Sequence, residues 1–357
     1  MRELATRGGQ IILLTQTPLN DPFFVDYIED LRSSTNNELI TAEQVNLASL
    51  HSIRTFATKW IDNAPPRRLD MIVLCGNTMT PRGGKLQTTE DEVEINWGVN
   101  YLANFHLLSI LSPAIRAQPP DREIRVLVGT CVSYLAGELP VQVQNDTGDK
   151  SKEGANQLGS SKQAVNKFSP GAAYASSKLA LMTFAHAFQK HLSSHSRPDK
   201  QPMNARIILV DPGFTRTPGM RRYLTWGSLT GLFVYLVTYP FWWLILKSPN
   251  MGAQSFLYAA MEAQYGRGEG GWLIKECTAV DLNRADVRDE QIQAGLWKYS
   301  ENMVQEAEKR GALARAKAKK DAESTAKAKP EEKPANEDKR TEASSKQTTS
   351  RRNKKPK

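Results

Sequence analysis

Tyr174-Ala-Ser-Ser-Lys178 runs without a break into Leu179-Ala-Leu-Met-Thr-Phe-Ala185. The second half reads as helix, and a spacing of four then puts the phenol and the ammonium on one helix face. An ammonium beside a phenol favours the phenolate, so the pair is expected to lower the Tyr174 pKa toward neutrality. A tyrosine tuned in this way can give or take a proton at a carbonyl or alcohol oxygen. Tyr-x-x-x-Lys alone is a weak signal, because chance matches are common. Its neighbours give it meaning.

Downstream, Arg206-Ile-Ile-Leu-Val-Asp-Pro-Gly-Phe-Thr-Arg-Thr217 reads as a strand that ends in a Pro-Gly turn. Upstream, Arg125-Val-Leu-Val-Gly-Thr-Cys-Val-Ser133 is a strand running into small polar residues, and Val99-Asn100-Tyr-Leu-Ala-Asn-Phe-His lies in a helix. Ile11–Leu14 is the first strand, after a short helix that Gly8-Gly9 ends. Met71–Cys75 is continuously apolar, as a strand buried on both faces should be. Strands alternating with helices predict an α/β fold with a parallel sheet covered on both faces.

The chain has 357 residues, enough to bury a sizeable core. Its net charge of +9 is concentrated at one end. Residues 309–357 hold 17 Lys+Arg and 7 Asp+Glu, whereas the rest holds 30 basic and 31 acidic residues. A near-neutral body with a basic tail is not a nucleic-acid binder by charge, and no nucleic-acid partner is expected. Three scattered cysteines exclude a disulfide scaffold and any Cys-x-x-Cys site. His191 and His195 lie four apart without a visible third ligand, so no metal is expected.

Two segments break the strand–helix rhythm. Residues 141–169 are polar and read as a solvated loop insertion. Residues 224–246 carry no charge, and Arg221, Arg222 and Lys247 flank them. That length could span a bilayer core. The last strand, within Gly270–Cys277, must nevertheless join the same sheet as the strands before it. The segment should therefore enter and leave on one face, bending at Gly227, Gly231 and Pro240. Residues 283–308 read as a helical extension, and 309–357 as a disordered basic tail.

The order of these motifs resembles the short-chain dehydrogenase/reductase family, and within it the membrane-associated, retinol-dehydrogenase-like branch. Leu69-Asp70, Lys247-Ser-Pro249, Gly252-Ala-Gln254 and Gly270-Gly-Trp-Leu-Ile-Lys-Glu-Cys277 also fall in place. The resemblance covers residues 1–282 and implies one Rossmann-like, doubly wound parallel sheet. It implies NADP or NAD as cofactor, bound at the C-terminal edge of the strands. Tyr174 would be the acid/base, Lys178 would bind the nicotinamide ribose, and Asn100 would support the proton relay. Pro212, Gly213 and Thr217 would flank the nicotinamide.

The departures from the family are informative. Met1-Arg-Glu-Leu-Ala5 matches the later part of the family's first helix, so the sheet reads as N-terminally incomplete. The first strand and the glycine-rich turn that cradles pyrophosphate have no counterpart, which puts cofactor binding in doubt and leaves the sheet's central position unfilled. The family's Asn-Asn-Ala-Gly is Leu74-Cys75-Gly76-Asn77 here, keeping a small turn at Gly76 while the amides do not align. Asn46 stands where an acidic residue near the adenine is expected. Alignment puts Cys131 at the catalytic serine, chemistry prefers Ser133, and Thr130 is a third candidate.

The resemblance implies hydride transfer with a lipophilic alcohol or carbonyl. Membrane lipid is an expected partner, at the cytosolic face of the endoplasmic reticulum or a lipid droplet. A homodimer stays open. So do two alternatives: a cofactor-free pseudoenzyme or membrane scaffold, and a truncated reading of the gene for an active enzyme.

Overall fold

The computed structural model describes residues 1–63, 67–140, 143 and 168–328. The chain divides into two units, 1–312 and 313–357. The first unit opens with α1 (Arg2–Thr6), β1 (Ile11–Thr15), α2 (Pro22–Thr35), β2 (Ile40–Gln44), α3 (Leu50–Ile61) and β3 (Met71–Leu74). A π-helical turn (Trp97–Leu102) leads into α4 (Ala103–Arg116), then β4 (Ile124–Gly129), a 3-10 turn (Val132–Ala136), α5 (Pro170–Ser193) and β5 (Ala205–Asp211). Next come α6 (Pro218–Leu224), α7 (Leu229–Val237), α8 (Tyr239–Ile245), α9 (Pro249–Met261), β6 (Trp272–Lys275), β7 (Thr278–Val280) and α10 (Glu290–Ala328).

Five strands form one sheet in the order β3-β4-β5-β6-β7, parallel except for the last pair. Its faces separate with a period of two, as strand geometry requires. Val126, Val128, Ile207 and Leu209 turn toward α4 and α5, where Phe105, Leu108 and Phe184 complete the main core. Leu127, Ile208 and Val210 turn to the opposite face and pack with Ala259 and Ala260 of α9. Arg125 is buried beside α9, and its Nη1 donates to the carbonyls of Ala259, Ala260 and Glu262. That satisfies orphan carbonyls at a helix C-terminus, where a cation is favourable.

β1 and β2 form a separate parallel pair, Ile11 opposite Ile40 through Thr15 opposite Gln44. Among the described residues, β1 pairs only with β2 and β3 only with β4. This corrects the expectation of a doubly buried strand at Met71–Cys75. Val73 is 42% exposed and Met71 and Ile72 are only half-buried, because β3 is an edge.

The apolar segment 224–246 folds as two short helices, α7 and α8, and not one span. No helix among the described residues is long and apolar enough to cross a membrane. The chain bends at Trp226-Gly227, both with positive φ, and again at Thr238-Tyr239-Pro240. Gly231 is no bend, contrary to expectation. It lies inside α7, where a Cβ would meet the Thr225 carbonyl oxygen at 2.0 Å, so its role is close approach.

The C-terminal extension packs through Leu296, Val304 and Ala307 onto the main core. Its helix continues to Ala328, past the boundary at 308 read from composition, in sequence rich in strong helix formers. Residues 329–357 of the basic tail, and nearly all of the 141–169 insertion, lie outside the described residues.

Candidate active site

The site lies beyond the C-terminal ends of β3, β4 and β5. Ser169 caps α5 by accepting from the Ala172 N–H, and Pro170 occupies the first turn, so the helix begins just ahead of Tyr174. Tyr174 and Lys178 follow one turn apart, both buried. Lys178 Nζ donates to the Gly129 carbonyl at 3.1 Å, which ties α5 to the end of β4. The ammonium lies 5.7 Å from the centre of the Tyr174 ring.

The surroundings reverse the expected tuning of Tyr174. Burial raises its pKa above the ordinary tyrosine value, and the Cys131 thiol adds to the rise. Burial likewise lowers the Lys178 pKa, against the opposing pull of Cys131, Cys75 and Asp211. The spacing rule gave the shared helix face correctly, but desolvation is the largest influence on the phenol.

Of the three candidates for the serine position, Cys131 approaches closest to the phenol, its thiol donating to Tyr174 Oη at 3.6 Å. The same sulfur lies 3.4 Å from Ser133 Oγ, so Ser133 touches the phenol's neighbour. Thr130 Oγ1 is buried without a hydrogen-bond partner. Asn77 Nδ2 also donates to Tyr174 Oη, at 3.4 Å. Sequence reasoning missed this contact because the turn after β3 did not align. The asparagine three residues beyond the strand end was the available signal.

Asn100 is fully buried within the π-helical turn, a feature often found at functional sites. Its Oδ1 accepts from the Thr78 N–H at 2.7 Å, and its Nδ2 donates to the Thr78 carbonyl at 2.9 Å and to Ser177 Oγ at 3.1 Å. One amide thus joins three parts of the site: the turn after β3, the helix leading to α4, and α5.

The positions expected to face a cofactor line the same edge. Gly213 has φ +74°, and a Cβ there would meet Glu276 Oε1 at 2.2 Å. Pro212 precedes it, and Thr217 caps α6 by accepting from the Met220 N–H at 3.3 Å. Gly76 abuts Leu47, with 2.5 Å between its would-be Cβ and Leu47 Cδ1. Asn46 follows β2, accepts from Gln16 Nε2 at 2.7 Å and donates to Glu90 at 2.8 Å. It belongs to the two-stranded piece, whereas Tyr174 and Lys178 pack on the five-stranded one. Arg206 is a strand-edge residue whose guanidinium donates to the carbonyls of Met203 and Ala205.

Beside the site, α7 and α8 present a broad apolar surface. Leu229 is 86% exposed and Leu244 78%, and Phe233, Val237, Phe241 and Trp243 are exposed with them. The segment is fastened at both ends. Gly227 lies against Pro81, and Lys247 forms an ion pair with Glu276 at 2.9 Å.

No family model matches the chain. It is 41% identical over 309 residues to the uncharacterized oxidoreductase pbr1 of Schizosaccharomyces pombe, covering 87% of this chain and 78% of that one. It is 29% identical over 302 residues to retinol dehydrogenase 13 of Mus musculus, covering 85% and 78%. Among solved structures, a Pseudomonas syringae protein assigned as a short chain dehydrogenase superposes with a TM-score of 0.50 at 16% identity, covering 77% and 87%. The last likeness shows the fold alone. Together with the motifs, these relatives place the chain in the short-chain dehydrogenase/reductase family. It is an oxidoreductase of that type, built on a Rossmann-like sheet.

Proposed function

We propose that the protein transfers a hydride between a nicotinamide cofactor and a lipophilic alcohol or carbonyl at a membrane surface. The observation that carries this reading is the buried Tyr174 phenol, held between Cys131 and Asn77 with the Lys178 ammonium beside its ring. Tyr174 Oη is the proton donor or acceptor at the substrate oxygen. Its raised pKa keeps it protonated at neutral pH, which suits donation to a carbonyl oxygen. Cys131 and Asn77 orient the phenol, and Asn100 holds the turn that carries Asn77.

The residues present fit the nicotinamide end of the cofactor. Lys178 has an ammonium to offer a ribose hydroxyl, and Gly213 takes the positive φ that turns the chain at the end of β5, beside the Glu276 carboxylate. The cofactor, when bound, supplies or accepts the hydride. The pyrophosphate end is different. Among the described residues no glycine-rich turn joins a strand to a helix at this edge, and β1 and β3 have no ladder between them. The proposed activity therefore requires a strand and phosphate-binding turn between β1 and β3. The same observation supports a second reading, a membrane scaffold that keeps the fold without cofactor binding.

The apolar surface of α7 and α8 supports delivery of substrate from lipid, and retinol, in the name of one relative, is an alcohol of that class. About ten side chains reaching lipid at roughly 1.5 kcal/mol each would outweigh attraction from the basic tail. The proposed location is the cytosolic face of the endoplasmic reticulum or of a lipid droplet. Replacing Phe241, Trp242, Trp243 and Leu244 with Ser should move the protein to the soluble fraction, while high salt or deletion of 329–357 should not. The opposite pattern would make the tail the anchor. Tyr174→Phe, made in the chain extended by a strand and glycine turn, should lose turnover and keep cofactor affinity. Wild-type turnover in that variant would sink the catalytic assignment.

A further inference from the structure

The exposed helices α7 and α8 have a charge pattern beside them that the rest of the body lacks. Residues 212–261 contain four basic residues and no acidic one, and residues 71–89 contain two basic and no acidic. The two stretches are far apart in sequence and meet in space, because a Cβ on Gly227 would lie 3.1 Å from Pro81 Cγ. Their six cations are Arg82, Lys85, Arg216, Arg221, Arg222 and Lys247. Without them, residues 1–308 hold 24 basic and 31 acidic residues. A body that is otherwise net acidic thus sets a purely cationic rim beside its exposed apolar helices.

Those helices are too short to cross a bilayer. α7 has 9 residues and α8 has 7, or about 14 and 10 Å at 1.5 Å per residue, against a hydrocarbon core of about 30 Å. The chain also enters and leaves the hairpin side by side. The Lys247 N–H donates to the Phe214 carbonyl at 2.9 Å, and the Arg216 N–H donates to the Lys247 carbonyl at 3.0 Å. Arg216 and Lys247 therefore sit together at its base. Arg216 Cζ lies 5.8 Å from the centre of the Trp243 ring, where charge meets the apolar face. Trp226 and Tyr239, at the bends, are exposed aromatic residues of the kind that favour a membrane interface.

Four cations of the rim are available to a partner. Arg82, Lys85, Arg221 and Arg222 are exposed and form no ion pair among the described residues, whereas Lys247 is neutralised by Glu276. Apolar burial is indifferent to the charge of a lipid headgroup. Basic residues close to an anionic surface add an attraction that salt screens. A second copy of this chain suits the face poorly, because a two-fold contact would crowd two cationic rims together.

We infer that this face docks on a bilayer whose surface carries anionic phospholipid, with α7 and α8 in one leaflet and the rim against the headgroups. The inference rests on the membrane reading above and adds the headgroup charge to it.

The test is flotation of the full chain with phosphatidylcholine vesicles and with vesicles containing about one-third phosphatidylserine. The expected result is binding to both, roughly tenfold or more tighter to the anionic ones. High salt should erase that preference and leave binding to phosphatidylcholine. The combined variant Arg82→Gln, Lys85→Gln, Arg221→Gln and Arg222→Gln should lose most of the preference and keep binding to phosphatidylcholine. Deletion of 329–357 should leave most of the preference in place, because that segment mixes 10 basic with 5 acidic residues. Thermal melts confirm that each variant is folded. Equal binding of the full chain to the two vesicles, or an undiminished preference in the folded rim variant, would overturn the inference while the membrane reading stands. Binding to neither vesicle would overturn both.

Discussion

β4 and β1 are both parallel strands of apolar sequence, yet they meet solvent differently. β4 is buried from Ile124 to Val128, while no residue of β1 is fully buried. β4 has a hydrogen-bonded neighbour on each side and helices on both faces, whereas β1 has one neighbour. An apolar strand disappears from solvent only when its edges and faces are all covered. On the proposed reading the difference separates two roles. The five-stranded piece positions Tyr174, Lys178 and Asn100. The two-stranded piece carries Asn46, on the far side of the break.

The proposed catalytic contrast should give the largest effect. In the chain extended by a strand and glycine turn, Tyr174→Phe should lower kcat by about 10²–10⁴ with cofactor Kd nearly unchanged, whereas Asn46→Ala should change Kd and spare kcat. Steady-state kinetics with calorimetry separates the two. Equal losses of kcat in both variants would erase the distinction between the pieces.

Stability should divide in the same place. Ile208→Ala, in a fully buried position of β5, should cost about 2–5 kcal/mol in denaturant unfolding. Ile12→Ala in half-buried β1 should cost less than about 1.5 kcal/mol, because much of that side chain already meets water. Hydrogen exchange should likewise reach the amides of β1 and β2 well before those of β4 and β5. Uniform protection across both pieces would mean that they open as one unit.

Much of the five-stranded piece was legible in the sequence. Four-residue spacing put Tyr174 and Lys178 on one face, and the apolar runs located β4 and β5. The sign of the Tyr174 shift was not legible, because it depends on burial by residues far away in the chain. Asn77 escaped for a related reason. Its contact with Tyr174 spans 97 positions, and no local pattern encodes it. Val73 looked like core because the run Met71–Cys75 is apolar, but the run does not say whether a neighbouring strand is in place. Gly231 looked like a hinge until its close approach to Thr225 was visible.

A smaller effect should come from pH. Burial pushes the His186 pKa on α5 down to about 4, from about 6.5 when unfolded, and the Arg288 and Lys190 charges add to the shift. The unfolded chain therefore binds the proton more readily. The stability associated with neutral His186 is fully present above pH 6.5 and is lost as pH falls toward 4. The Tm should fall across that window, and His186→Gln should flatten the fall. An unchanged profile in that variant would assign acid sensitivity to other groups.

The break between β1 and β3 makes cofactor binding the most direct test. NADPH should be titrated calorimetrically into the chain as it stands, and in parallel into the chain extended by a strand and glycine-rich turn. The expected result is no saturable binding up to millimolar NADPH in the first and clear binding in the second. Micromolar binding by the unextended chain would contradict the account, because it would show that the residues already present cradle the pyrophosphate.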